Sequence, residues 1–298
     1  MTSKRSIDSR SLNRNVWDSL VHYISEIGST KTTYILEIGS GIGTMIERIL
    51  DRDLLRNFEY TAIDVEPSFV KVAKDRLSDW AKNNNHNFEI KKNNQIVIKN
   101  QINNILVNLK AIDLFEFIKK ETPQKSWDLL IANAFLDLVD LRTTIPLLSS
   151  LIRPNGLFYF TLNFDGLTIF KPEIDEDFDN EIISLYHKTM DERIVKGKKS
   201  GSSRTGSDLI QLLIEMGFEI LNAGSSDWVI SPIINRYSND EKYFLHFIIN
   251  TIDNALIECK YLNKERFKEW IKNRHDQIES NKLIYVAHQL DVLGRIHA

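Results

Sequence analysis

The sequence contains a single cysteine, few prolines and no long run of uncharged apolar residues. Cys259 alone cannot form an internal disulfide or a thiolate metal site, and the seven histidines are scattered, so no metal site is expected. A transmembrane helix would need about 20 consecutive apolar residues. The first fifteen residues are polar and lack the apolar core of a signal peptide. We therefore expect a cytoplasmic protein that does not contact a membrane.

Positive charge is not in excess either. The 298 residues include 38 lysines and arginines against 41 aspartates and glutamates, a formal net charge of −3. Such a chain has no general positive field for a polyanion, so duplex DNA is not an expected partner. Hydrophobic residues make up 42% and charged residues 27%, which is ordinary for a globular enzyme. A small-molecule partner is the simpler expectation, and the composition does not indicate an oligomeric state.

Strand and helix alternate through the first half of the chain. Short apolar runs predict buried strands at 34–38, 60–63, 106–112, 129–132 and 157–162. Helical patterns separate several of these runs, which implies a mostly parallel sheet with helices on both faces, a doubly wound α/β fold. Two later runs, 218–221 and 283–287, are expected to complete the sheet, with the last strand antiparallel.

The pattern divides the chain into four parts. We expect an N-terminal helix in 1–30, the alternating core in 31–162, a cap or lid insertion in 163–206, and the rest of the sheet in 207–298 with a helical insertion at 231–281.

A polar stretch inside the core, from Lys82 to Asn104, contains the apolar run Ile96-Val97-Ile98. It therefore predicts an exposed hairpin that turns at Asn93-Asn94.

The most informative segment follows the first predicted strand and reads Glu37-Ile38-Gly39-Ser40-Gly41-Ile42-Gly43-Thr44. Glycines at a strand-to-helix turn adopt backbone conformations closed to other residues and let a ligand approach the main chain. The helix that follows presents its free amide groups to that ligand. The glycines form GxGxG, whereas the dinucleotide fingerprint GxGxxG would need a glycine at position 44, where Thr44 stands.

From Tyr34 to Leu162 the chain resembles the class I S-adenosylmethionine-dependent methyltransferases. Their first motif is an acidic residue, any residue and then GxGxG, which Glu37 to Gly43 match. Asp64 stands at the end of the second strand, where the family has the acid that holds the ribose hydroxyls. Asp113 follows the third strand, where the family contacts the adenine amino group.

The resemblance implies S-adenosylmethionine as cofactor and a Rossmann-like sheet. The cofactor-binding residues that it implies, together with Arg14 on the covering N-terminal helix, are Arg14, Glu37, Gly39, Ser40, Gly41, Gly43, Asp64, Val65, Ile112, Asp113, Leu114 and Asn133.

Several of these residues also have a structural explanation. Asp64 and Asp113 are favoured residues for capping a helix, Asn133 for starting a loop, and Arg14 for a solvent-exposed helix face. Asn133 is followed by Ala134-Phe135 rather than Pro-Pro-aromatic, so the motif of methyltransferases that act on DNA amines is absent.

The methyl acceptor should bind beyond the carboxyl ends of the fourth and fifth strands. Asp165 follows the fifth strand, Tyr186 and His187 lie on the inserted helix, and Trp228 follows the sixth strand. His187 and Asp165 are the candidate catalytic residues: the imidazole titrates near neutral pH and could accept a proton, and Asp165 would face the cleft. Asp137, Tyr186, Arg204 and Trp228 are the candidate substrate-binding residues. A surface histidine and a core tryptophan are the simpler explanations of His187 and Trp228.

A basic stretch, Lys196 to Arg204, lies among glycines and serines and would form a mobile lid that suits an anionic acceptor. A solvated loop is the alternative. The sequence therefore predicts an S-adenosylmethionine-dependent methyltransferase that acts on a small molecule. The alternatives are a nicotinamide-dependent oxidoreductase and a non-catalytic subunit that binds S-adenosylmethionine.

Overall fold

The computed structural model describes residues 4–27, 32–52, 57–91, 94–99, 104–121, 127–195 and 197–297. The described helices are α1 (Arg5–Ser11), α2 (Arg14–Ile27), α3 (Thr44–Asp51), α4 (Pro67–Asn83), α5 (Leu114–Glu121), α6 (Leu141–Ser149), α7 (Glu176–Asp191), α8 (Thr205–Glu215), α9 (Asn239–Leu256) and α10 (Lys264–Glu279).

The described strands are β1 (Thr33–Ile38), β2 (Asn57–Asp64), β3 (Asn87–Ile90), β4 (Gln95–Lys99), β5 (Asn104–Ala111), β6 (Trp127–Asn133), β7 (Ile152–Lys171), β8 (Ile194–Val195), β9 (Lys198–Lys199), β10 (Glu219–Ser225), β11 (Trp228–Ile230) and β12 (Ile284–Arg295). The main sheet has the order β10-β12-β7-β6-β1-β2-β5-β4-β3, and β11 pairs with β12.

The centre of the sheet is parallel, as the alternation of strands and helices predicts. β1 lies between β2 and β6, and all three run the same way, as do β5 beside β2 and β7 beside β6. β12 pairs with β7 and with β10, and both pairs are antiparallel. The doubly wound α/β fold with antiparallel last strands is therefore confirmed.

Alternate residues of the central strands face opposite helical layers. Ile35 packs in a cluster with α2, α3 and α4, whereas Leu36 packs in a cluster with α5, α6 and α8. Because side chains of a strand alternate between its two faces, both layers draw on the same apolar runs. In open α/β sheets of this kind, ligands bind beyond the carboxyl ends of the parallel strands.

A third apolar cluster lies where β7 and β12 extend past the parallel strands. β7 was predicted to end at Leu162 but continues to Lys171, and Phe170 pairs in register with Tyr285 of β12. The helices α7, α9 and α10 pack on this extension. The two segments predicted as insertions thus share one core, and whether they act as a cap remains a prediction.

Three further differences concern single elements. The polar stretch 82–104 does contain a hairpin, β3 with β4, but β4 also pairs with β5 and so extends the main sheet. Asn93, predicted in its turn, lies outside the described residues. The short helix α1 and the short strand β11 were not predicted. The helices of the described residues include none with the length and apolarity that crossing a membrane requires.

Candidate functional site

The glycine-rich segment forms the turn from β1 to α3. Gly39, Gly41 and Gly43 have φ values of +64°, +52° and +79°. Residues with a side chain are strained at these values, which explains why glycine recurs at every second position. The Ser40 amide donates a 3.0 Å hydrogen bond to the carbonyl of Ile63, so the turn is fastened to the end of β2.

Asp64 joins the end of β2 to this turn. Its Oδ2 accepts a 2.8 Å hydrogen bond from the Gly41 amide, and its Oδ1 accepts a 2.9 Å bond from the Glu66 amide. The Asp64 side chain does not cap α4, because the carboxylate of Glu66 accepts the Ser68 amide instead. A buried carboxylate thus stands beside the glycine turn, as the resemblance implies for a ribose-binding acid.

Glu37 lies beneath the turn and is 1% exposed. Its Oε2 accepts a 2.8 Å hydrogen bond from the Tyr60 hydroxyl. The pKa of Glu37 is raised to about 8, chiefly by burial; the hydrogen bond from the Tyr60 hydroxyl opposes the shift and the nearby charge of Asp64 adds to it. Two buried acidic residues, Glu37 and Asp64, therefore lie beside the same turn.

The segment after β5 also reaches this edge. The Ile112 amide donates a 2.8 Å hydrogen bond to the carbonyl of Asp64. Asp113 Oδ1 accepts bonds of 2.9 Å and 3.3 Å from the amides of Phe115 and Glu116, so Asp113 caps α5. The capping role is observed. The adenine-binding role of Ile112, Asp113 and Leu114 stays a prediction.

Phe135 lies directly on the glycine turn, and the sequence did not identify it. A Cβ atom built on Gly39 would come within 2.7 Å of the Phe135 ring. Asn133 Oδ1 accepts a 2.8 Å bond from the Thr161 hydroxyl, and Ala134 has a φ of +50°. The chain therefore turns sharply after β6 and brings Phe135 across the end of β1. The sequence signal that could have predicted this contact is the aromatic residue two positions after Asn133, at the end of the fourth predicted strand.

Two of the implied cofactor residues are open to solvent. The Arg14 side chain is 92% exposed and lies 3.9 Å from Asp18, and Val65 is 70% exposed. Asn13, the residue before α2, contacts the sheet. Its amide donates a 2.8 Å hydrogen bond to Oδ2 of the buried Asp291 on β12. The cofactor contacts of Arg14 and Val65 stay predictions.

Three of the candidate acceptor residues belong to one polar cluster, which we call the inner cluster and which consists of Lys4, Asp8, Asp137, Tyr186 and Trp228. The Lys4 ammonium lies 3.6 Å from Asp8 Oδ2 and 4.7 Å from the centre of the Trp228 ring. Burial raises the pKa values of Asp8 and Asp137, and the charge of Lys4 opposes both shifts. Burial, together with the charge of Asp137, raises the pKa of Tyr186 to about 12.

The remaining acceptor candidates have other partners. Asp165 Oδ1 accepts bonds of 2.9 Å and 2.7 Å from the amide and hydroxyl of Ser207, and so it caps α8. His187 is 2.9 Å from the Thr168 hydroxyl, and burial lowers its pKa. His187 and Arg204 line an open cleft of about 500 Å³, which we call the outer cleft. The candidates thus fall into two separate groups.

The basic loop is partly tied down. Arg193 Nη2 donates a 2.5 Å bond to the carbonyl of Asp137, Ser200 bonds the carbonyl of Leu138, and the Gly201 amide donates a 3.1 Å bond to the carbonyl of Val139. Lys196 lies outside the described residues. Both ends of the loop are thus held against the segment that carries Asp137.

Within the part of the chain that the structure describes, no three histidine, cysteine, aspartate or glutamate residues are grouped so that they could hold a metal ion.

Comparison with known proteins tests the family resemblance. Residues 36–158 match the family model described as a methyltransferase domain. The match covers 123 of the 298 residues. The match begins in β1 and ends in β7, so it contains the glycine turn, Asp64, Asp113 and Phe135. The match agrees with the methyltransferase that the sequence predicts, and it defines neither the cofactor nor the substrate.

Solved structures similar to the chain include further methyltransferases. A candidate type II methyltransferase from Anaeromyxobacter dehalogenans is 16% identical, covers 94% of this chain and 96% of that one, and gives a TM-score of 0.48. YjhP from E. coli is 13% identical, with 98% and 99% covered and a TM-score of 0.47.

A geranyl diphosphate C-methyltransferase from Streptomyces coelicolor A3(2) is 8% identical, with 94% and 81% covered and a TM-score of 0.41. These values are too low for an argument about the acceptor of the methyltransferase domain. A search of curated proteins finds no match to the chain.

Proposed function

We propose that the chain binds S-adenosylmethionine at the carboxyl edge of β1 and β2 and transfers its methyl group to a small molecule. The observation that carries the proposal is the Gly41–Asp64 contact. It places a buried carboxylate at 2.8 Å from the main chain of a three-glycine turn. The family match of residues 36–158 covers both residues.

The residues at this edge fit the chemistry of the cofactor. α3 begins at Thr44 with no side-chain cap on its first amides, so these donors are available to a carboxylate such as that of the methionine part. The carboxylate of Asp64 can accept hydrogen bonds from ribose hydroxyls, and the segment of Ile112 to Leu114 borders Asp64 for contact with adenine. Phe135 would cover the bound molecule from the side of β6.

When bound, S-adenosylmethionine supplies a methyl group on a positively charged sulfur. In the transfer, the sulfur–methyl bond breaks and its electron pair stays on sulfur, while a lone pair of the acceptor forms the new bond to carbon. A nucleophile that carries a proton releases it after the transfer. The chain contributes by aligning the acceptor with the methyl group and by excluding water, and alignment alone accounts for a large rate gain.

The acceptor side is the inner cluster in this proposal. Asp137 follows Phe135 by two residues, so the cluster is adjacent to the glycine turn along the chain. The loop from Arg193 to Gly201 is held against the Asp137 segment, and α7 carries Tyr186. We propose that this loop, α7 and the α9–α10 pair form the cap. His187 in the outer cleft keeps its predicted role of proton acceptor only if the acceptor extends that far.

Calorimetry with S-adenosylhomocysteine and with NAD tests the proposal. We expect S-adenosylhomocysteine to bind and NAD not to bind, because Thr44 stands where the dinucleotide fingerprint needs glycine. Asp64→Asn should weaken binding at least about tenfold, since it removes the charge that accepts from the ribose. Asp75→Asn, on the exposed face of α4, is the matched control and should leave the affinity unchanged. Tighter binding of NAD than of S-adenosylhomocysteine would overturn the assignment.

A further inference from the structure

The inner cluster contains a cation that the chain itself supplies. The Lys4 ammonium lies 3.6 Å from Asp8 Oδ2 and 4.7 Å from the centre of the Trp228 ring. A cation over the face of an indole, with a carboxylate beside it, is an arrangement that recognises ammonium groups in general. The cluster is therefore built for a positive charge.

The cluster offers more hydrogen-bonding capacity than Lys4 uses. Asp137 Oδ1 is out of contact with solvent and receives no hydrogen bond from another described residue, whereas the Asp8 carboxylate interacts with the Trp228 indole N–H. Buried polar atoms without a partner are uncommon in folded proteins because each costs about 1–3 kcal/mol. The unpartnered Asp137 oxygen indicates a ligand group that donates a hydrogen bond to this carboxylate, as an ammonium group does.

The groups that face Lys4 in this cluster are acidic or neutral. Burial raises the pKa values of Asp8 and Asp137, and the positive charge of Lys4 opposes both shifts, so a cation at this place favours the carboxylate forms. Tyr186 is neutral, since its pKa is raised to about 12 by burial and by Asp137. When the Lys4 ammonium leaves, a monocation would restore its interaction with the carboxyl groups, whereas an anion would not.

Lys4 can leave the cluster without unfolding its helix. α1 is fastened elsewhere, by Ile7 in the apolar core and by the 2.8 Å ion pair of Arg5 with Glu47. Lys4 is the residue before α1, its carbonyl accepts a 2.9 Å hydrogen bond from the Asp8 amide, its side chain is 25% exposed, and the side-chain contacts described for it are made by the ammonium. A change of side-chain rotamer is therefore enough to free the site.

We propose that the inner cluster is an ammonium-binding subsite for the methyl acceptor and that the Lys4 side chain occupies it in the absence of substrate. The inference rests on the proposed methyltransferase function only where it identifies the ammonium ligand as the methyl acceptor. The acceptor is thus a small molecule that carries an amine or ammonium group, held by Asp8, Asp137 and the face of Trp228. The basic loop predicted an anionic acceptor, whereas the carboxyl groups inside the cluster favour a cationic one.

The experiment measures binding of three probes that differ only in charge: n-butylammonium, n-butanol and butyrate. The protein is saturated with S-adenosylhomocysteine, and each probe is titrated by calorimetry or by ligand-observed NMR. In Lys4→Met, which keeps a long unbranched side chain but lacks the charge, n-butylammonium should bind at least about tenfold more tightly than in the natural protein. The other two probes should bind no better in the variant.

Two further variants keep the result interpretable. Asp137→Asn in the Lys4→Met background should abolish the gain in affinity. The probe takes the place of the Lys4 ammonium beside the Asp137 carboxylate, and this variant removes the negative charge of that carboxylate. Lys242→Met, which removes an ammonium paired with Glu279 on the surface, should give no gain. Equal affinity of Lys4→Met and the natural protein for n-butylammonium would overturn the proposal, as would preferential binding of butyrate.

The affinity for S-adenosylhomocysteine, measured on the same variants, separates this inference from the proposed function. Intact binding of S-adenosylhomocysteine with no gain for n-butylammonium removes the ammonium subsite and leaves the methyltransferase assignment in place. If the natural protein does not bind S-adenosylhomocysteine, the methyltransferase assignment is wrong. The three probes are then titrated in the absence of S-adenosylhomocysteine.

Discussion

The Tyr60 hydroxyl donates a 2.8 Å hydrogen bond to Oε2 of Glu37 across the first two strands, where both side chains are buried. Burial raises the pKa of Glu37 to about 8. The folded protein therefore keeps a proton on this carboxyl group over a pH range in which the unfolded chain has lost it. This difference links the stability of the fold to pH.

We expect the free energy of unfolding to fall as the pH rises from 4.5 to about 8, the two pKa values of Glu37. Over this range the unfolded chain releases its proton and the folded chain does not, so deprotonation favours unfolding. Glu37→Gln keeps an acceptor for Tyr60 and has no charge to bury, so it should remove a pH-dependent loss on the order of 3 kcal/mol. Urea denaturation at pH 5 and pH 8 measures the difference, with exposed Glu192→Gln as control. Parallel pH profiles for Glu37→Gln and the natural protein would contradict the assignment.

Asp291 holds the junction of α1 and α2 on the sheet. Its Oδ1 accepts from the Leu162 amide and its Oδ2 from the Asn13 amide, both at 2.8 Å. In Asp291→Asn one of these amides loses its acceptor, which should cost about 1–3 kcal/mol. Hydrogen exchange in residues 5–24 should rise more than exchange in β1. Asp140→Asn, which replaces one good helix cap by another, should change neither quantity by more than a few tenths of a kcal/mol. Uniform exchange across the chain would show that Asp291 does not secure the N-terminal helices.

The contact between Gly39 and Phe135 predicts a specific coupling. Gly39→Ala adds a Cβ at φ +64° and within 2.7 Å of the Phe135 ring, whereas Gly197→Ala adds one at φ +76° with nothing within 4 Å. Both variants place a side chain at a positive φ, and this shared cost cancels in the comparison. The clash with Phe135 should therefore make Gly39→Ala less stable than Gly197→Ala by about 1–2 kcal/mol. In a Phe135→Ala background the two costs should become equal. A difference that persists there would mean that Phe135 does not cover the turn.

The charge balance predicts that the protein does not bind duplex DNA at physiological salt. Binding of that kind depends on the release of counterions by many lysines and arginines, and the formal net charge of this chain is −3. Fluorescence anisotropy with a labelled duplex should show no sub-micromolar complex at physiological salt. A tight complex that weakens as the salt concentration rises would show that a local basic surface outweighs the overall charge.

The parallel half of the fold could be predicted because its signals are local. Each central strand is a single apolar run, and the glycines at 39, 41 and 43 lie together in sequence. The length of β7 could not be predicted in this way. Asn163 and Asp165 interrupt its apolar pattern, and its pairing with β12 joins residues more than 100 positions apart.

The candidate site shows the same division. Glu37 was identified from the glycine motif that it begins, and Asp64 from its position after the apolar run 60–63. The inner cluster was found only in part, because Lys4 and Trp228 lie 224 positions apart and no periodicity relates them. His187 and Trp228 were expected to share a pocket, but the structure gives His187 a Thr168 partner at the outer cleft and Trp228 a place beside Lys4.

A crystal structure of the protein with S-adenosylhomocysteine tests the central claim most directly. The account predicts that the ligand contacts the Gly41 main chain and the Asp64 carboxylate, with its sulfur directed toward the inner cluster of Lys4, Asp8, Asp137, Tyr186 and Trp228. A ligand bound away from the glycine turn would contradict the proposed function. A ligand at the turn whose sulfur faces the outer cleft of His187 and Arg204 would contradict the assignment of the acceptor site.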